Sequence, residues 1–187
     1  TDLTIKNDNL IAATQGRGFW LIDDITPLHS MNGSIAESKF HLYKPLDAWK
    51  MDGGSRGSSK TAGENHPGGV MVHYYLPQQP DSTTTVTLEF MDTNGKLIRS
   101  YASNAKEKKD KLELKKGLNR FMWDTRYPEA SRFDGMILWG GGTQGPKAIP
   151  GDYKVKLTMN KDSQEQQFAI LQDPRTKASA EDLEAQF

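Results

Sequence analysis

Cysteine is missing from this chain altogether. Its absence excludes disulfide bonds, thiolate nucleophiles and cysteine-based zinc sites, though not any particular cell compartment. Long apolar runs are missing too: no stretch approaches the ~20 residues that a membrane-spanning helix needs, so membrane insertion is not expected. Neither sign of charge dominates, with 24 Lys and Arg against 24 Asp and Glu and a pI near 6.9. No net field exists to draw in nucleic acid or an anionic surface. The densest basic stretch, Lys106 to Lys116, holds six lysines but also Glu107, Asp110 and Glu113, the pattern of a solvated loop face. Helical periodicity is scarce before the last residues. With 35% hydrophobic residues and a mean hydropathy of -0.70, the composition suits a modest β-domain with polar connections. There is no signal-peptide pattern, and Thr1 reads as the start of a fragment or processed form.

What remains is strand signal. Leu3 to Lys6, Leu10 to Thr14 and Phe19 to Ile22 are short apolar runs, split by Asn7-Asp8 and by Gly16-Arg17-Gly18. Pro27 in "DITPLHSM" predicts an extended or turn geometry, and one helical turn fits within Ser30 to Lys39. "FHLYKPLDAWKM" (Phe40 to Met51) alternates until Pro45 and reads as an edge strand followed by a turn. Asp52 to Gly69 is polar and Gly-rich, the composition of a flexible surface loop. Regular strands follow. They are Val70 to Leu76, Thr84 to Asp92 with Val86, Leu88 and Phe90 on one face, and a return strand after the Asn94-Gly95 turn. Leu118 to Asp124 comes next, then a pair joined near residue 160. A long loop, Thr125 to Ile149, is rich in Gly and aromatics. At the tail, Ser179 is placed as a helix N-cap with Glu181 and Asp182 in the first turn, opening a helix that runs on past Phe187.

Turn signals every ~8–12 residues predict an all-β fold, an Ig-like antiparallel sandwich of about seven strands preceded by an extended β-hairpin arm. The expected division is an arm over 1–28, a linker and polar loop over 29–66, the sandwich over 67–174 and a helix start over 175–187.

Two sets of motifs carry a resemblance. "VTLEFMDTNGKLIRSY", "GLNRFMWDTR" and "PGDYKVKL" resemble the Ig-like domain of flagellar hook-capping proteins, found widely at the C-termini of secreted bacterial proteins. There Gly95 supplies the positive φ of a hairpin and Trp123 a core anchor. Asp124 bonds the N–H groups of the next turn, and Pro150-Gly151 turns the chain into the last hairpin. "AATQGRGFWLIDDITPL", "LYKPLDAW", "GENHPGGVMVHYYL", "WDTRYPE" and "DPR" resemble the C-terminal part of exported Bacteroidetes-type proteins with sortilin-like or BNR β-propellers. These are often labelled glycosyl hydrolases. The resemblance implies a remnant of a last propeller blade at 1–28, an accessory domain after it, export to the periplasm or cell surface, and the propeller of the same parent protein as partner.

The chemistry of the residues points away from catalysis. A glycosidase needs two carboxylates ~5–9 Å apart across a cleft. Among the candidates, Asp23 and Asp24 are neighbours on a predicted strand and face opposite ways. Glu64 lies in the polar loop and Asp124 has its turn to hold, which leaves Asp134 as the remaining candidate. His29, His41, His66 and His73 show no metal-ligand spacing, and "DTNG" reads as a turn rather than a calcium loop. "WGGGTQGP" lacks the Lys-Ser/Thr of a phosphate loop. No catalytic residue, metal or cofactor is therefore assigned. A glycan is a further candidate partner, through Tyr127, Arg132, Asp134 and Trp139 in the aromatic loop. The stronger expectation is that Tyr127, Phe133 and Trp139 fold inward to cap the sandwich or cover the arm. The arm strands "LIAAT" and "FWLID" also offer edges for pairing with a second copy.

Overall fold

A computed structural model describes residues 1–51, 66, 68–81 and 83–187. Most of the expected flexible loop, Glu64 included, thus lies outside the described residues. The chain divides into two compact units, Thr1–Lys39 and Phe40–Phe187.

The first unit is a three-stranded antiparallel sheet of order β1 (Asp2–Lys6), β2 (Asn9–Ala13), β3 (Phe19–Ile22). Asn7 and Asp8, at φ 51 and 57, close β1 to β2 in a two-residue turn of the primed kind, whose twist suits a hairpin. The β2–β3 turn uses Gly16 and Gly18 at positive φ, while both Thr14 N–H and Thr14 Oγ donate to Gly18 O. β3 ends at Ile22, where the predicted run ends, so Asp23 and Asp24 lie past the strand and not on it. Asp24 takes φ 58 and accepts from Thr26 N–H at 3.0 Å and Thr26 Oγ at 2.5 Å. Its own N–H donates to Asn9 Oδ1 at 3.0 Å. This tether ties the turn to the start of β2. Pro27 does not force extended chain; it sits in the first turn of a short helix, α1 (Thr26–Ser30), where its missing N–H costs nothing. A second turn, α2 (Gly33–Glu37), is capped by Asn32.

The second unit is an all-β sandwich. One sheet has the order β5 (Ala48–Lys50), β11 (Asp162–Gln172), β10 (Gly151–Met159), β7 (Val86–Asp92), β8 (Leu97–Ala102). The other has the order β4 (His41–Leu42), β6 (Val70–Leu76), β9 (Gly117–Trp123). Among the described residues this makes eight strands, one more than expected, because Phe40 to Met51 supplies two. Pro45 cannot continue a ladder, so the chain leaves β4, antiparallel to β6, and rejoins the opposite sheet as β5, parallel to β11. Phe40, Leu42 and Ala48 are core residues, so the stretch read as linker from residue 29 belongs to the sandwich from Phe40 onward.

Val86, Leu88 and Phe90 lie opposite Met159, Leu157 and Val155 in register, as alternate residues of paired strands must. Trp123 is fully buried from the opposite sheet and stacks on Phe90 with ring centroids 4.5 Å apart. Tyr153 and Phe168 continue the aromatic layer. A β-bulge beside Phe90 explains why Ile98 and Tyr101, three apart, are both buried. The basic stretch is anchored by Leu112, a core residue whose N–H donates to Ala102 O. The C-terminal helix α3 (Ala180–Gln186) opens with a reciprocal capping box between Ser179 and Asp182.

Candidate functional site

The feature that departs from a plain sandwich is the loop between β9 and β10. Its stem is laced. Tyr127 N–H donates to Pro146 O and Ala130 N–H to Thr143 O, both at 2.9 Å, and Ala148 N–H donates to Thr125 O at 2.7 Å. Arg126 Nη1 donates to Gly145 O at 2.8 Å and Arg132 Nε to Thr143 Oγ1 at 2.7 Å. The turn into the stem is set by Asp124, whose Oδ1 accepts from Arg126 N–H, and by Thr125 at φ 62. Trp123 Nε1 reaches Arg126 O at 3.3 Å, so the core anchor also holds this turn. At the other end Gly151 starts β10 at φ 155, and Tyr153 Oη donates to Ile149 O at 2.7 Å.

Gly145 explains its own presence. A Cβ there would fall against the carbonyl oxygens of Tyr127 and Pro128, well inside van der Waals contact. Gly145 was thus legible only as part of a Gly-rich loop, while its close backbone crossing needed the fold.

Beyond the stem, the tip (133–142) turns its apolar side chains outward. Trp139 is 96% exposed, Ile137 74% and Phe133 71%. The expectation that the loop aromatics fold inward is overturned for these residues, because the stem hydrogen bonds hold the tip away from the core. Tyr127 alone is half-buried; its ring meets Phe187 edge-on at 4.9 Å, and burial pushes its phenol up from the usual value. The four proposed ligand residues are therefore not gathered at one point. Tyr127 and Arg132 belong to the stem, Asp134 and Trp139 to the exposed tip.

Beside the stem lies a cleft of about 80 Å³ lined by Arg99, Asp124, Arg126, Tyr127, Glu129, Gln144 and Gly145. It has room for a few waters and falls far short of the ~300 Å³ of a small-ligand pocket. Its charges are engaged. Arg99 pairs with Asp110 at 2.7 Å, and Lys109 pairs with Glu129 at 3.0 Å and holds that carboxyl below its usual range.

A wider open groove of about 470 Å³ runs along Lys44, Asp47, Thr93, Asp152, Lys154 and Gln167. Sequence reasoning missed it because its residues come from the β4–β5 crossing, the β7–β8 turn and the β10–β11 pair, with no local spacing to join them. Asp47 Oδ1 is already bonded to Ala169 N–H at 2.8 Å, tying the crossing to β11. The groove presents two lysines and two aspartates on a shallow wall, a mixed surface without convergent donors.

Within the sandwich unit, Asp124 lines the small cleft and Asp134 does not. Asp24 caps the turn after β3 rather than lying on a strand, and within the sandwich Asp124 holds a turn while Asp134 stands at the exposed tip. Among the described residues, no three of His, Asp or Glu cluster as metal ligands would. His41 lies edge-on to Tyr43 at 4.6 Å, and burial lowers its pKa. His29 lies 3.8 Å from Asp8 at the surface. No family model matches this chain, and neither a curated protein nor a solved structure matches it.

Proposed function

We propose that this chain is a non-catalytic accessory region of an exported β-propeller protein. In this reading an Ig-like sandwich packs on or spaces the propeller whose last strands are β1–β3. One observation carries it: the three-stranded sheet leaves apolar side chains exposed on both faces. By register Leu3, Trp20, Ile5 and Ile22 share one face, and Phe19 and Leu21 share the other. A free three-stranded sheet has no use for two apolar faces, whereas a sheet stacked between neighbours, as in a propeller blade, requires them. Support for the Ig-like part comes from strand order. Labelled in sequence, β6, β7, β9, β10 and β11 take the places of strands B, C, E, F and G, and β4 and β5 those of a first strand split between the sheets. The test is the thermal stability and export of the full-length parent with and without residues 1–187. A drop in either supports the reading, and no change in both removes it.

A second reading, a carbohydrate-binding module, is favoured by Trp139, whose indole is free to stack on a sugar face. Titration against a panel of polysaccharides decides it. Binding lost in Trp139→Ala supports the module, and no binding, or binding unchanged by that substitution, removes it. Turnover of aryl-glycosides by this chain, abolished by Asp134→Asn or Glu64→Gln, would instead restore an enzymatic reading.

A further inference from the structure

Of the two arm segments read as pairing edges, Leu10–Ala13 turns out to be the central strand β2, with both sides occupied. The edges are β1 and β3, and among the described residues neither has a further strand beside it. They differ in one respect. β3 (Phe19–Ile22) carries no charge that would fix a register, whereas β1 reads Asp-Leu-Thr-Ile-Lys, with opposite charges at its two ends.

The hydrogen-bond phase of β1 follows from its turn. A two-residue hairpin makes Lys6 and Asn9 a hydrogen-bonded pair, so Thr4–Ile11 and Asp2–Ala13 are hydrogen-bonded pairs too. Leu3 and Ile5 therefore aim their N–H and C=O groups outward. The Leu3 N–H is met only by the neighbouring Asp2 Oδ1, at 2.9 Å, a local substitute for an absent strand. Lys6 makes no ion pair among the described residues.

We propose that β1 pairs antiparallel with β1 of a second copy, in the register that sets Thr4 opposite Thr4. Three independent demands meet in that register. Leu3 of one copy faces Ile5 of the other, so the four outward backbone groups of each strand meet complementary groups and the two strands exchange four hydrogen bonds. Asp2 faces Lys6 of the second copy, twice, by symmetry. Residues two apart keep the same face, so the apolar side of one sheet continues into the apolar side of the other. Centring the pair on Leu3 or on Ile5 sets the charges against Thr4 and forfeits both ion pairs. The proposal does not depend on the accessory-domain reading, since it concerns the edge of β1 and not the faces of the sheet.

Sedimentation equilibrium of the 187-residue chain over a range of concentrations tests it. A reversible dimer is expected. Lys6→Glu and Asp2→Lys should each weaken it by roughly 10- to 30-fold, since each turns two symmetric attractions into repulsions. The combined D2K/K6E chain restores opposite charges in the same register and should return to within about threefold of the parent. Far-UV circular dichroism checks that the sheet persists in every variant. A chain that is monomeric throughout, a dimer indifferent to the single reversals, or a double variant no tighter than the singles each overturns the proposal.

Discussion

Two buried polar residues show how single side chains are settled here. Tyr43 is 3% exposed, yet among the described residues its hydroxyl has no hydrogen-bond partner. A buried polar group left unmet costs ~1–3 kcal/mol. Tyr43→Phe keeps the ring and should raise stability by about 1 kcal/mol, read as a higher midpoint in urea unfolding. Asn119 is the opposite case. It replaces an apolar residue on the inward face of β9, yet its side chain accepts from Lys115 N–H and donates to Lys115 O and Gly117 O, at 2.7 to 3.0 Å. It latches the chain as it enters the strand. Asn119→Ala should cost about 2 kcal/mol by the same measurement. Neither environment was legible in the sequence: "LYK" and "LNR" look alike in polarity, and only the fold separates a satisfied group from an unsatisfied one.

At the scale of elements, alternation placed most of the sandwich. Val86, Leu88 and Phe90, then Tyr153, Val155 and Leu157, declare their faces by period two, and all six are buried in the core. Legibility fails where a strand is shorter than its own signal. β4 has two residues and β5 three, so the crossing over Pro45 looked like one strand and a turn. Of the two short helices, α2 falls within the turn expected between Ser30 and Lys39, while α1, five residues long with a proline in its first turn, was not expected. The β9–β10 loop was visible as a loop, but its laced stem was not, because bonds between residues nearly twenty apart leave no local pattern. That stem yields a sharp expectation. Gly145→Ala inserts a methyl group against two backbone carbonyls, so the crossing must open, at a cost of about 2–3 kcal/mol. Hydrogen exchange should then quicken at the amides of Tyr127 and Ala148, while amides in β7 and β10 hold.

At the scale of the whole molecule, two buried tyrosines tie stability to alkaline pH. Burial pushes Tyr153 up to about 12, and the phenols of Tyr127 and carboxylate of Asp92 add to the shift. Tyr74, bonded through its hydroxyl to Glu113 O, is pushed up by burial as well. In the unfolded chain these groups titrate near 10. Between the two values the folded state retains protons that the unfolded state has lost. The stability these tyrosines contribute is thus complete below pH ~10 and disappears as pH rises toward 12. A denaturation midpoint that falls above pH ~10 is the expected record, with the share of tyrosinate absorbance that Tyr74→Phe or Tyr153→Phe removes appearing only together with unfolding. If that share arises before unfolding, the burial of these two rings is contradicted.

The crossing at Pro45 has a mechanical meaning as well. β5 runs parallel to β11, and the two strands lie toward opposite ends of the sandwich unit's chain. Tension applied to those ends drags β5 and β11 past each other lengthwise, so their hydrogen bonds are loaded side by side and must fail together. An antiparallel pair at the same place would peel open one bond at a time. Pulled from those ends, the short parallel strand is thus loaded in shear and not unzipped, and single-molecule stretching of the sandwich should show a higher rupture force than the Trp49→Pro variant.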